Sequence, residues 1–176
     1  MANEYGYEPI RYLMVASHYR SPINYSVDVI EQCRASLERL YNCRDNLEFQ
    51  LSHSEAGEKE GEAAVRARFE GYRAQFIEAM DDDLNTADAL SALFELARDV
   101  NSTITAANAP SRELCEFTLS LFNELAGVLG LLYKKKETSL DAEIEELIAQ
   151  RTQARQNRDW ATADRIRDEL KARGLF

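Results

Sequence analysis

Three groups of side chains in this sequence have types and spacings that could support chemistry. The consecutive carboxylates at 81–83 resemble ligands for a hard cation, but such a cation needs six or more oxygens from several segments. An acidic loop leading into a helix N-terminus explains them better, because the helix dipole favours negative charge there. The lysines at 134–136 offer a phosphate patch, although a solvated linker is the simpler interpretation. Trp160 could stack on a nucleobase, whereas a lone tryptophan on the apolar side of a helix more often belongs to a core.

The cysteines and histidines do not have the spacing of a metal or nucleophilic site. Cys33, Cys43 and Cys115 are far apart, no Cys-x-x-Cys pair occurs, and His18 and His53 are the only histidines. There is no glycine-rich phosphate loop and no Ser–His–Asp or Cys–His arrangement near a common loop. We therefore predict free thiols in a reducing, cytoplasmic environment, and no metal in this chain.

No segment of the sequence reads as a targeting signal or a membrane anchor. Residues 1–8 contain two glutamates and no apolar run, which argues against a signal peptide. No stretch approaches the length of a transmembrane helix. The expected surroundings therefore do not include a membrane.

The composition favours long helices and an uneven charge. Of 176 residues, 45% are apolar, with 7 glycines and 3 prolines, so few positions suit tight turns. The net charge of −10 argues against a generic nucleic-acid binder. Residues 1–133 carry 11 basic and 22 acidic side chains, a balance of −11, whereas residues 134–176 carry 10 and 9, a balance of +1. A polyanion is therefore expected at the C-terminal end.

Helical periodicity and capping residues predict five helices before residue 134. Pro9 suits a first helical position, Ser26, Asn85 or Thr86, and Ser111 suit N-caps, and Gly130 suits a terminator. The positions at helical spacing are Ile10, Leu13, Met14 and Ser17; Ile30, Cys33, Leu37, Leu40, Tyr41 and Leu47; Val65, Phe69, Tyr72, Phe76 and Met80; Leu90, Leu93, Phe94, Ala97, Val100 and Ile104; Leu114, Phe117, Leu121, Phe122, Leu125 and Val128.

Two polar segments separate these helices into groups. Residues 54–61 contain two glycines and three glutamates, which predicts a mobile hairpin tip with nothing to bury. Residues 134–139 predict a linker between a bundle at 1–133 and a second part at 140–176. In that part, helices starting near Asp141 and Asp159 should form a hairpin, because the connection around Asn157 is short. The predicted fold is all-α, an antiparallel helical bundle followed by a smaller helical hairpin.

Four stretches in this order and spacing resemble the cysteinyl-tRNA synthetase family. The first contains Ser17-His18-Tyr19-Arg20-Ser21-Pro22, and the second is Met80-Asp81-Asp82-Asp83-Leu84-Asn85-Thr86, where the family usually has Phe at the Leu84 position. The third is Leu93-Phe94-Glu95-Leu96-Ala97-Arg98. The fourth comprises Ala154-Arg155, Asp159-Trp160-Ala161, Ala163-Asp164, Ile166-Arg167-Asp168 and Gly174.

This resemblance implies the helical C-terminal part of a class I synthetase. The family's ATP motifs and the zinc that selects cysteine lie in a Rossmann-type catalytic domain, and none of those motifs occurs in this sequence. We therefore expect a fragment without cofactors that is inactive alone and has its catalytic domain in cis in the full-length ligase. The resemblance also implies that the family's short C-terminal tail is missing, so that 140–176 forms most of an anticodon-binding domain.

The partner implied by the resemblance is tRNA of the cysteine acceptor type, and neither DNA nor a membrane. Arg155 and Asp164 match family positions that contact anticodon bases. An arginine donates to base or phosphate oxygens, and a carboxylate accepts from base amino groups. The alternative for Asp164 is a local ion pair with Arg167, three residues along one helix face. The full set of expected tRNA contacts is Arg155, Asp164, Trp160, Arg151, Arg158 and Arg20.

Two other functions stay open at this point. A related cysteine ligase of mycothiol synthesis shares the catalytic ancestry, but it lacks the anticodon domain that residues 140–176 resemble. A helical protein-interaction bundle without an RNA partner would suit the acidic net charge.

Overall fold

The computed structural model describes residues 6–134, 147, 151 and 160–172, with the side chains of 160, 161, 169, 171 and 172 excepted. Within these residues the regular structure is entirely helical, which confirms the all-α prediction. The helices are α1 (Glu8–Val15), α2 (Val27–His53), α3 (Glu62–Asp81), α4 (Thr86–Thr103), α5 (Arg112–Val128) and α6 (Trp160–Ala172). The chain divides into two compact units, residues 1–133 and 134–176.

Capping side chains fix where three of the long helices begin. Ser26, Asn85 and Ser111 each accept a hydrogen bond from the backbone N–H three residues further on, over 3.1–3.3 Å. Each of these bonds satisfies one of the N–H groups that the first helical turn leaves without a partner. The predicted caps are therefore confirmed, and Asn85 rather than Thr86 is the cap of α4.

Four long helices build the core of the first unit. α3 and α4 pack together along their length, and α2 packs on α4 and α5, while α1 lies across α2 and α4. Side chains from all four long helices are fully buried at the centre, among them Leu40, Leu47, Phe69, Leu93, Leu96 and Phe122. The apolar stripes predicted from helical spacing supply most of this core.

Helix α1 is placed as predicted, but it buries different residues. Leu13 is buried as expected, whereas Met14 is half exposed and Ser17 lies beyond the end of the helix. The buried partners of Leu13 are Tyr12 and the charged Glu8. Because α1 packs against two helices, it buries residues on a wider face than a single apolar stripe predicts.

The loop at 54–61 is anchored at both ends, contrary to the expectation that it has nothing to bury. Ser54 is buried, and its hydroxyl donates to the carbonyl of Gln50 over 2.7 Å. Immediately beyond the loop, the carboxylate of Glu62 is also buried. The prediction from composition was wrong on this point because hydrogen bonds, and not apolar burial, hold the loop.

The second unit is described through α6, Leu147 and Arg151. Both isolated residues are helical, as the predicted hairpin requires, whereas the linker and turn that we predicted lie largely outside the described residues. None of the helices in the described ranges is long and apolar enough to cross a membrane.

Candidate nucleic-acid interface

Helix α6 presents a narrow apolar stripe and a wide polar face. Ala163, Ile166 and Leu170 are buried, at the spacing of three and four residues that one helix face requires. Asp164 follows the first of them and is exposed. Asp164 therefore lies just outside the apolar stripe of α6.

The carboxylate of Asp164 is already engaged by a neighbouring arginine. Its Oδ1 lies 2.9 Å from the Nη1 of Arg167, and Arg167 also binds Asp168 over 3.0 Å. The hydrogen bond to Asp168, and then the charge of Asp164, raise the pKa of Arg167 above its ordinary value. The ion pair considered as the alternative for Asp164 is thus present, and a base must compete with Arg167 for this carboxylate. Exposed ion pairs are weak, so such an exchange is feasible.

Arg165 differs from Arg167 although the two are close in sequence. Arg165 is exposed, and within the described part of the chain it forms no ion pair or hydrogen bond. Its positive charge is therefore available to a phosphate. Arg165 was counted among the 10 basic residues of 134–176 but was not singled out from the sequence, because the family stretches do not include it.

The other predicted contacts in the second unit are described only in part. Arg151 is helical and half-buried, and it takes part in an interaction. Trp160 is the first residue of α6, and its side chain lies outside what the structure describes. Arg155 and Arg158 also lie outside the described residues. The tRNA contacts expected for Arg155, Asp164 and Trp160 stay predictions.

Arg20 belongs to a turn that is tied to the loop between α3 and α4. Its Nη2 lies 3.0 Å from the Oδ2 of Asp83, and the hydroxyl of Tyr19 donates to the Oδ1 over 2.8 Å. The ring of His18 stacks on that of Tyr19, with centroids 4.8 Å apart. The two segments that carry the first and second family stretches therefore meet at one surface, a contact that sequence spacing did not predict.

The loop that carries Asp83 has an unusual backbone. Asp83 and Leu84 have φ angles of 58° and 55°, a left-handed conformation that costs energy for residues other than glycine. Contacts from Tyr19 and Arg20 hold Asp83, while Asn85 closes the loop as the cap of α4. Within the described ranges no group of three or more His, Cys, Asp or Glu side chains is arranged to hold a metal ion.

Charge makes the surface near this loop a poor site for RNA. A groove of about 450 Å³ between α3 and α4 is lined by carboxylates from both helices, namely Glu78, Asp82, Asp88 and Glu95. Phosphate groups are repelled by such a surface. Asp83 also pairs with Arg20, so that the cation next to this groove has a carboxylate partner.

Comparison with known proteins gives two family matches in successive parts of the chain. Residues 75–133 match the DALR domain family, and residues 137–176 match the family described as the cysteinyl-tRNA ligase anticodon binding domain. A cysteine–tRNA ligase of Clostridioides difficile (strain 630) is 45% identical over 172 residues, which cover 97% of this chain. The chain spans 37% of the length of that relative. The family indicated by the four sequence stretches is thereby confirmed.

Proposed function

Because the chain belongs to the DALR domain family over residues 75–133 and to the cysteinyl-tRNA ligase anticodon-binding family over 137–176, we propose that it is the tRNA-binding part of a cysteine–tRNA ligase. The second unit reads the anticodon loop of tRNA of the cysteine acceptor type. The single observation that supports this most directly is the match of residues 137–176 to the anticodon-binding family.

The geometry of α6 suits an RNA loop better than an RNA duplex. Unpaired bases expose edges that a carboxylate and an arginine can distinguish, and Asp164 is exposed on the polar face of α6. In this proposal Arg155 and Asp164 contact bases and Trp160 stacks on one of them. Arg151 and Arg158 add phosphate contacts, and Arg20 contacts the tRNA outside the anticodon.

The ligation chemistry has no place in this proposal. ATP and zinc, which the family uses in its catalytic domain, are not assigned to any residue of this chain. We expect no cysteine-dependent exchange of pyrophosphate into ATP by the purified chain, and measurable exchange would contradict that assignment.

A protein-interaction bundle is the second candidate, and the acidic groove between α3 and α4 favours it for the first unit. A partner with a basic surface would suit that groove. The mycothiol-pathway ligase is disfavoured by the anticodon-binding match.

A gel-shift assay separates these functions. The chain should bind tRNA of the cysteine type more tightly than an unrelated tRNA, and the preference should persist at two salt concentrations. Equal binding of both tRNAs, with complete loss at the higher salt concentration, would indicate non-specific attraction instead.

Variants then test the assigned residues. Arg155→Ala should weaken cognate binding by about 1–3 kcal/mol, the usual size of one good base contact. It should also reduce the difference in affinity between the cognate and the unrelated tRNA. Asp164→Ala should reduce this difference in affinity as well. Arg98→Ala is the matched control, because Arg98 is an exposed arginine of the first unit on α4. If both anticodon variants bind as the parent chain does, the site assignment is wrong.

A further inference from the structure

The first unit ends in a short segment whose backbone conformation is unusual. After α5, the N–H of Leu131 bonds to the carbonyl of Ala126 and that of Gly130 to Gly127, which is the paired pattern of a Schellman cap. Gly130 has a φ of 65°, as this cap requires. Two residues later, Leu132 also has a left-handed φ, 57°, although it is a branched residue and is buried.

Three charged side chains hold the backbone of this segment. The Nη1 of Arg11 donates to the carbonyl of Gly130 over 2.7 Å. The Oε1 of Glu8 accepts the N–H of Leu132 over 2.7 Å, and the Nη1 of Arg44 donates to the carbonyl of the same residue over 2.8 Å. Residues 130–132 are therefore fixed by side chains from α1 and α2. We call these three side chains the exit clamp.

Two of the three side chains of the exit clamp are buried, whereas Arg11 is exposed. Glu8 is 1% exposed and Arg44 is 7% exposed. The hydroxyl of Tyr41 donates to both oxygens of Glu8, and the guanidinium of Arg44 lies over the Tyr41 ring at 4.8 Å. Burying charges is costly unless each one is bonded. Arg44 lies 4.0 Å from the carboxylate of Asp45 and 3.7 Å from that of Glu48, and Glu8 and Arg44 both bond to main-chain atoms of Leu132.

Stability alone does not account for this arrangement. A glycine at position 132 would adopt the left-handed backbone without strain, and apolar residues at positions 8 and 44 would avoid burying charge. Strained backbone persists only where surrounding groups hold it in place, and it occurs mainly where a precise geometry serves a function. What the clamp fixes is the point at which the chain leaves the first unit toward Lys134.

On the premise that the chain binds tRNA as proposed above, we propose that Glu8, Arg11 and Arg44 are positioning residues for tRNA binding. They touch no nucleotide and act through residues 130–132. A tRNA that contacts both units binds the second unit in an intramolecular step, whose strength depends on where the chain leaves the first unit. Releasing Leu132 leaves this exit point undefined and weakens binding of the whole tRNA, but leaves binding of an anticodon stem-loop by the second unit unchanged.

The test compares two RNAs on one variant. Glu8→Ala removes the acceptor for the Leu132 N–H, and should weaken whole cysteine-type tRNA by about 3- to 10-fold while leaving its isolated anticodon stem-loop within about twofold. Amide exchange at Leu132 should accelerate. Glu8→Gln keeps an acceptor oxygen and should restore most of the whole-tRNA affinity. Asp28→Ala is the matched control, since Asp28 is the exposed first-turn acid of α2.

Each other outcome decides against the exit clamp or against its premise. An equal loss of affinity for both RNAs means that the substitution damages the fold as a whole or the second unit itself, and it overturns the positioning role. Unchanged tRNA affinity with accelerated exchange at Leu132 overturns it as well. If the parent chain binds neither RNA, the proposed function fails, and the positioning role fails with it. If Glu8→Ala does not fold, Tyr41→Phe replaces it, because this change removes the hydroxyl that donates to Glu8. It should then weaken binding of the whole tRNA and leave binding of the stem-loop unchanged.

Discussion

The guanidinium of Arg20 lies 3.0 Å from the carboxylate of Asp83, and this ion pair joins the turn after α1 to the loop between α3 and α4. Both side chains are substantially exposed. A phosphate that approaches Arg20 therefore meets a cation whose charge is largely cancelled. Any contribution of Arg20 to RNA binding depends on the carboxylate opposite.

We expect opposite effects from the two partners of this pair. Arg20→Ala should weaken binding of cognate and unrelated tRNA by the same factor, because a phosphate contact carries no sequence information. Asp83→Asn removes the competing charge and should strengthen binding of both. Nitrocellulose filter binding across a salt series measures this. If neither change alters affinity, Arg20 does not contact the tRNA.

Glu62, which is buried like Glu8, joins the 54–61 loop to α5. It accepts the N–H and hydroxyl of Ser111 as well as the N–H of Lys59, with 2.8 Å and 3.0 Å for the two N–H bonds. Burial by itself raises the pKa of Glu62, but the hydrogen bonds from Ser111 and Lys59 outweigh it and hold the pKa below its ordinary value.

Removing this carboxylate should destabilise the first unit. Glu62→Ala leaves the buried Ser111 N–H without its acceptor and should lower the free energy of unfolding by about 2 kcal/mol. Urea denaturation followed by circular dichroism measures the change. Glu60→Ala, at an exposed position of the same loop, should change the stability little. A similar loss in both variants would show that the Glu62 bonds are not special.

The same residue gives the stability a dependence on pH. A carboxyl whose pKa is lower in the folded chain contributes stability that is present above its unfolded pKa, near 4.5, and is lost as the pH falls through the folded value. The stability difference between the parent and Glu62→Gln should therefore shrink on acidification below about pH 4.5. A difference that stays constant to lower pH would contradict the lowered pKa.

The sequence predicted the helices of the first unit well, because their signals are local. A capping side chain such as Ser26 or Ser111 acts on a backbone N–H three residues away, and an apolar stripe repeats within a few turns. Glu8 and Glu62 were not predicted as buried. Their partners are Leu132 and Ser111, which lie far along the chain, so no local pattern reveals the contact.

The candidate site was predicted less completely than the fold. The Asp164–Arg167 pair was foreseen as one of two alternatives because its spacing on a helix is fixed. Arg20 was chosen from the family resemblance, and its neutralisation by Asp83 depends on how two loops meet. Whether a cation is available to RNA is therefore set by tertiary neighbours, and not by its place in a motif.

The three cysteines should be unreactive in the folded chain. Cys33, Cys43 and Cys115 are all buried, and burial raises the pKa of the Cys43 thiol to about 12. Since the thiolate is the reactive form, a disulfide reagent at pH 8 should label none of them before unfolding and all three afterwards.

An exposed thiol provides the control for that experiment. Ser52→Cys introduces a cysteine at an exposed position near the end of α2, and it should react at once. Absorbance of the released thiol counts the reactive groups. Rapid reaction of a native cysteine in the parent chain would mean that the core of the first unit opens readily.

The clearest difference between two similar side chains is that between Arg165 and Arg167 on α6. Arg167 is bound by Asp164 and Asp168, whereas Arg165 has no ion pair or hydrogen bond within the described ranges. Both are exposed and lie on the same helix, so that replacing either by alanine changes the net charge equally. A purely long-range electrostatic effect would therefore treat the two variants alike.

We expect Arg165→Ala to have the larger effect on tRNA binding. A phosphate contact made by Arg165 releases about one counterion, so its loss should lower the slope of log affinity against log salt by about 1. Arg167→Ala should change that slope little, since its charge is already neutralised, but it frees Asp164 to accept from a base. Arg167→Ala should then alter the preference between cognate and unrelated tRNA more than the affinity itself. Equal slope changes in the two variants, with the preference intact, would show that α6 attracts tRNA by its overall charge and not through the individual contacts proposed for it.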